Sequence, residues 1–168
     1  MDQPTTQKLA FSKEAQDEIE RYLIHYPADR LKSAILPILH IAQAEFGGWV
    51  SPEAMDLVAE ILKIQPIEVY EVATFYTMFN LKPVGKHVLE VCRTGPCMLR
   101  GSEQLIEHME NRLGCQVGEN SADGYFTLKT VECLASCGTG PMLQIRENYY
   151  EDLTPEKMDA LLDELKKS

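Results

Sequence analysis

Apolar positions in the first half of the chain recur every three or four residues, the period of a helix with one buried face. Ala15, Ile19, Tyr22, Leu23 and Tyr26 form one such stripe, closed by Pro27. A second helix is expected from about Asp29 to Phe46, kinked near Pro37 and stopped at Gly47-Gly48. Ser51-Pro52 supplies an N-cap and a first-turn proline for a third, with Met55, Val58, Ala59 and Leu62 inward. A fourth begins near Pro66 and buries Val69, Val72, Ala73 and Tyr76. Four short helices with tight connections predict a small helical bundle over residues 12–80. Ahead of it, Met1 to Lys8 is polar and patternless, and no packed element is expected there.

The period changes across Leu81-Lys82-Pro83-Val84-Gly85, which reads as a linker. From Lys86 to Val91 the chain alternates, with His87, Leu89 and Val91 on one face and Val88 and Glu90 on the other, as a strand should. Met98 to Leu113 has helical spacing and ends at Gly114. The turn signal Asp123-Gly124 leads into Tyr125 to Val131, rich in strand-forming residues. Met142 to Ile145 is a short strand, turned at Glu147-Asn148 into Tyr149-Tyr150. Thr154-Pro155 caps a last helix with Met158, Leu161, Leu162 and Leu165 on one stripe. The order β-α-β-β-β-α over residues 86–168 predicts an α/β sandwich with a parallel crossover followed by antiparallel strands. The fold class expected for the whole chain is therefore α+β.

Composition narrows the partners. The net charge of −10 divides evenly about Lys86, so neither half offers the clustered Lys and Arg that phosphate binding needs, and no nucleic acid is expected. The most apolar run, Ala34 to Ala44, is interrupted by Pro37, His40 and Gln43 and is too short to cross a bilayer, so no direct membrane insertion is expected. With no export signal in view, five cysteines point to a reducing compartment and to metal ligation ahead of disulfides.

Four of the five fall into two pairs, Cys92-Arg-Thr-Gly-Pro-Cys97 and, after 35 residues, Cys133-Leu-Ala-Ser-Cys137. Each pair follows a predicted strand, so two loops leave one end of a sheet and can converge. A [2Fe–2S] cluster takes two thiolates per iron, and both gaps are wide enough for the chain to curl around an iron and its sulfides. Gly95-Pro96 and Gly138 to Pro141 suit the backbone angles of such curls, whose N–H groups can point at sulfur. Spacing alone leaves a structural zinc site open. A thioredoxin-type dithiol needs two intervening residues, which neither pair has, and a Rieske centre needs two histidines. His25, His40, His87 and His108 read as surface or packing residues. Cys115 has no partner nearby in sequence and reads as a small buried thiol. No phosphate-binding loop, dinucleotide fingerprint or nucleophile elbow is present, so no catalytic residue is assigned and the chain shows no NADH or quinone site of its own.

Beyond the cysteines, Gly48-Trp49-Val50-Ser51-Pro52-Glu53, Val72-Ala73-Thr74-Phe75-Tyr76, Pro83-Val84-Gly85-Lys86-His87, Asp123-Gly124 and Leu153-Thr154-Pro155-Glu156 complete a pattern. It resembles the thioredoxin-like [2Fe–2S] subunit of the NADH module of respiratory complex I, NADH:quinone oxidoreductase, over roughly Ser12 to Leu165. Close relatives serve NAD-linked hydrogenases and formate dehydrogenases. The resemblance implies a thioredoxin-like domain after the helical bundle, with Cys92, Cys97, Cys133 and Cys137 as cluster ligands. It implies a flavoprotein partner that binds FMN and NADH, within a larger respiratory complex. The location implied is cytoplasmic, on the peripheral side of a membrane complex, or the matrix side in a mitochondrion. Two departures stand out: Ala135 where the family commonly has Gly, and Gly140-Pro141 where it has Ala-Pro.

Four thiolates and two sulfides outweigh the charge of two ferric ions. An added electron in a poorly hydrated site therefore meets net negative charge, and a low potential is expected.

Overall fold

Helix starts are where side-chain chemistry marks this chain most clearly. In the computed structural model, which describes residues 9–167, Ser12, Ser51 and Thr154 each accept a backbone N–H three residues on, from Ala15, Ala54 and Lys157. These caps open α1 (Lys13–Leu23), α3 (Pro52–Leu62) and the last helix of the chain, and each satisfies a donor that the helix itself leaves free. The expectation about Met1 to Lys8 lies outside the described residues. Two compact units meet between Pro83 and Val84.

The first unit holds α1, α2 (Ile35–Glu45), α3 and α4 (Pro66–Phe75) around one core, with Ile38, Leu39, Val58, Leu62, Val69 and Ala73 almost fully buried. Two expectations need correction. The second helix does not start at Asp29 and kink at Pro37: a 3₁₀ turn covers Leu31–Ala34, and the α-helix begins at Ile35. Pro37 then sits in the first turn, where a missing N–H breaks no hydrogen bond. Tyr76 is not a core residue. The helix stops at Phe75, Tyr76 turns extended at its end, and the ring is 38% exposed. Polar side chains close the unit. Gln43 accepts the Asn80 N–H (2.7 Å) and donates to the Met78 carbonyl (3.1 Å), while Asn80 donates to the Gly48 carbonyl (2.9 Å).

The second unit is a four-stranded sheet in the order β2-β1-β3-β4, formed by β1 (His87–Cys92), β2 (Phe126–Val131), β3 (Leu143–Ile145) and β4 (Asn148–Tyr150). The β1–β2 pair is parallel and the rest antiparallel, as the element order predicts. In β1, His87, Leu89 and Val91 are buried and Val88 and Glu90 half-buried, the alternation read from the sequence. Register places Glu90 opposite Lys129, and the two pair at 3.4 Å. Gly85 backs onto β2 so closely that an added Cβ would lie 2.7–2.9 Å from the backbone of Tyr125 and Phe126.

The helix expected from Met98 to Leu113 is two helices, α5 (Gly95–Leu99) and α6 (Ser102–Leu113), broken at Gly101, whose φ of 100° is left-handed. The last helix, α7 (Pro155–Leu165), lies beside α6, tied by His108–Asp159 and Arg112–Asp163 contacts of 3.0 Å. Leu105 and Met109 of α6 and Met158 and Leu162 of α7 share one core with Leu89, Phe126, Leu128 and Leu143. Each such side chain contributes roughly 1.5–3 kcal/mol by leaving water. Among the described residues, no helix is long and apolar enough to cross a membrane.

Candidate metal centre

One end of the β2-β1-β3 sheet carries all the paired cysteines. Cys92 is the last residue of β1 itself, one position earlier than a loop placement would have it, and its neighbour in register is Val131, two residues before Cys133. Parallel pairing thus delivers both loops to the same edge. Cys97 lies in α5, reached by a turn over Arg93 and Thr94. Cys92 and Cys97 are buried with Met142 and the half-buried Leu134 around them, whereas Cys133 and Cys137 are exposed.

The electrostatics show that the two pairs meet. Burial, a contact with Cys92, and the charges of Cys92, Cys137 and Cys133 push the Cys97 thiol up to about 11. Cys137 is raised first by Cys133 and also by Cys92. Burial pushes Cys92 up too, yet hydrogen bonds outweigh it and hold the thiol below its ordinary value: from the Thr94 hydroxyl (3.4 Å), from the Leu134 N–H of the other loop, and from the Thr94 N–H. The Ala135 N–H donates to Cys133 Sγ at 3.3 Å. Cys97 and Cys137 thus resist ionisation beside their neighbours, and a cationic centre among the thiols would reverse that.

Residues 19–166 match the family of thioredoxin-like [2Fe-2S] ferredoxins. The chain belongs to this family. Among its relatives, the E subunit of the NADH-quinone oxidoreductase of Rickettsia bellii (strain RML369-C) is 46% identical over 158 residues, covering 94% of this chain and 95% of that one. NADH dehydrogenase [ubiquinone] flavoprotein 2, mitochondrial, of Dictyostelium discoideum is 47% identical over 156 residues; there the match spans 93% of this chain and 63% of the relative. A crystal structure of an NAD+-reducing [NiFe]-hydrogenase in the air-oxidised state shares the fold, with a TM-score of 0.69 at 19% identity over 80% of this chain and 23% of that one.

The donor set of this thioredoxin-like ferredoxin chain fits an iron–sulfur cluster. All four thiols are free, one pair belongs to each loop, and N–H and hydroxyl donors already point at sulfur. Cys115 stands apart: it is buried in the core shared by α6, α7 and the sheet, and burial and the carboxylates of Glu119, Glu110 and Asp123 raise its pKa. Of the histidines, His87 packs against Phe126 and His40 against Phe79, His108 faces Asp159, and His25 is exposed.

Several residues around the cysteines carried no signal by themselves. The Ser136 and Thr139 hydroxyls both donate to the Glu151 carboxylate, which they hold below the usual carboxylate range. Asp152 N–H donates to the Thr139 carbonyl (2.6 Å) and Leu153 N–H to that of Pro141 (3.0 Å), so the stretch after β4 cradles the second cysteine loop. Only three-dimensional contact links these positions, which stand twelve or more residues apart in the chain.

Proposed function

We propose that this chain is the electron-transfer subunit of the NADH-oxidising module of an NADH:quinone oxidoreductase, holding a [2Fe–2S] cluster that exchanges single electrons with FMN on a partner subunit. The observation that carries the cluster assignment is the convergence of two cysteine pairs from the parallel strands β1 and β2 at one sheet edge. Cys92 and Cys97 would hold one iron on the buried side, and Cys133 and Cys137 the other on the exposed side. When bound, the cluster supplies reversible one-electron storage.

The chain's own residues orient and shield that site. Thr94 and the amides of Leu134 and Ala135 point hydrogen-bond donors at thiolate sulfur, and Met142 and Leu134 keep water from the inner pair. Cys133 and Cys137 reach the surface, and Met98 and Leu99 stand 44% and 84% exposed next to Cys97, an apolar rim suited to a flavoprotein partner. The first unit, read as a four-helix bundle spanning residues 12–80, would give that partner a second surface. The names of the curated relatives favour a quinone-linked respiratory complex as host, on its peripheral arm, over a hydrogenase or formate dehydrogenase.

The test is affinity capture of the tagged full-length chain from its own host. The expected result is copurification with an FMN-containing subunit, and NADH-dependent reduction of the captured cluster. A Cys133→Ser variant should retain the partner but lose or markedly alter the paramagnetic signal. Capture of the chain with no flavin-bearing subunit, or a Cys133→Ser signal identical to the wild type, contradicts the proposal.

A further inference from the structure

Arg100 joins the two cysteine loops directly. Its backbone N–H donates to the Pro96 and Cys97 carbonyls (both 3.2 Å), so it closes the turn of α5 that carries Cys97. Its side chain leaves that turn, and Nε donates to the Gly140 carbonyl at 2.5 Å, in the loop that follows Cys137. The outer guanidinium nitrogen meets Asp152 Oδ1 at 3.4 Å. Gly140 is itself buried and packed on the first loop: a Cβ added there would lie 3.0 Å from Cys97 Sγ and 3.4 Å from Cys97 Cα. Gly140 also departs from the Ala-Pro pattern noted above, and the missing methyl is what permits this approach.

The geometry points to Arg100 as a positioning residue that locks the loop after Cys137 onto the Cys97 sulfur. This inference rests on the cluster assignment proposed above and goes beyond it. The tie opposes the parting of the two loops that release of iron requires. The hydrogen bond to a charged donor is worth about tenfold in an equilibrium or rate, allowing for the half-exposed side chain.

Arg100→Gln and Arg100→Lys variants of the full chain would be compared with the wild type for the g-values of the reduced signal and the rate of cluster loss to a chelator. Arg100→Gln should move the g-values and speed cluster loss by about tenfold. Arg100→Lys, which keeps a donor for the Gly140 carbonyl, should recover most of both the g-values and the loss rate. A Gln variant matching the wild type, or a Lys variant recovering nothing, overturns the inference. If Arg100→Gln fails to fold, Gly140→Ala tests instead how the same loop is seated on Cys97. Its methyl would lie 3.0 Å from Cys97 Sγ and make the loop give slightly there, so the cluster should be retained with shifted g-values, and unchanged g-values overturn the inference. A wild-type chain that holds no cluster sinks the assignment itself; a loaded wild type with an unresponsive variant sinks this inference alone.

Discussion

Ala135 holds a backbone conformation that its methyl group opposes. Its φ of 62° is left-handed, a region that costs an L-residue roughly 1–2 kcal/mol and glycine almost nothing. The strain is kept inside the second cysteine loop, where the Ala135 N–H reaches Cys133 Sγ at 3.3 Å. Ala135→Gly should therefore raise the stability of the chain by roughly 0.5–1 kcal/mol in a denaturant titration, after the greater freedom of glycine in the unfolded chain is deducted. No gain, or a loss, would mean that the methyl makes contacts worth more than the strain. At this scale the sequence was informative where chemistry repeats. Paired cysteines, capping Ser51 and Thr154, and the glycine departures at 135 and 140 are visible in a line of text. Arg100, Ser136, Thr139 and Glu151 are not, because their meaning comes from partners twelve to forty residues away.

Among the elements, the Asp123-Gly124 turn does more than reverse the chain. Asp123 accepts from the Ser121 hydroxyl (2.5 Å), the Tyr125 N–H (3.1 Å) and the Lys166 ammonium (2.7 Å) just past the end of α7. Lys166, Ser121 and Tyr125 hold its carboxyl far below the usual carboxylate range. A carboxyl depressed in the folded state stabilises the fold above its unfolded pKa, and the contribution is lost as the pH falls through the folded value. Asp123→Asn should thus lower the unfolding midpoint at neutral pH. The gap from wild type should stay constant down to about pH 4 and close below it. A gap that widens on acidification would contradict this reading. Element type and order were legible because periods of two and of three to four are distinct signals, and β1 shows this well. Boundaries were less so: the 3₁₀ turn before Ile35, the break at Gly101 and the early stop at Phe75 each arise where a proline, a glycine or a helix end admits more than one local geometry.

For the whole molecule, the chain keeps a helical unit and a sheet unit on separate cores, with the cysteines confined to the second. The sequence reading places a linker at the change of period from Leu81 to Gly85. Convergence of the two cysteine pairs was readable only as an inference from parallel pairing, since strand register is a tertiary fact. The central claim is that these four sulfurs hold a diiron centre able to take one electron. Its most direct test is low-temperature paramagnetic resonance of the reduced, anaerobically purified chain, combined with iron and acid-labile sulfide analysis of the same sample. The account predicts a red-brown protein with iron and sulfide in equal amounts and a rhombic signal that vanishes on oxidation. A colourless protein containing zinc in place of iron, silent under reduction, would contradict it.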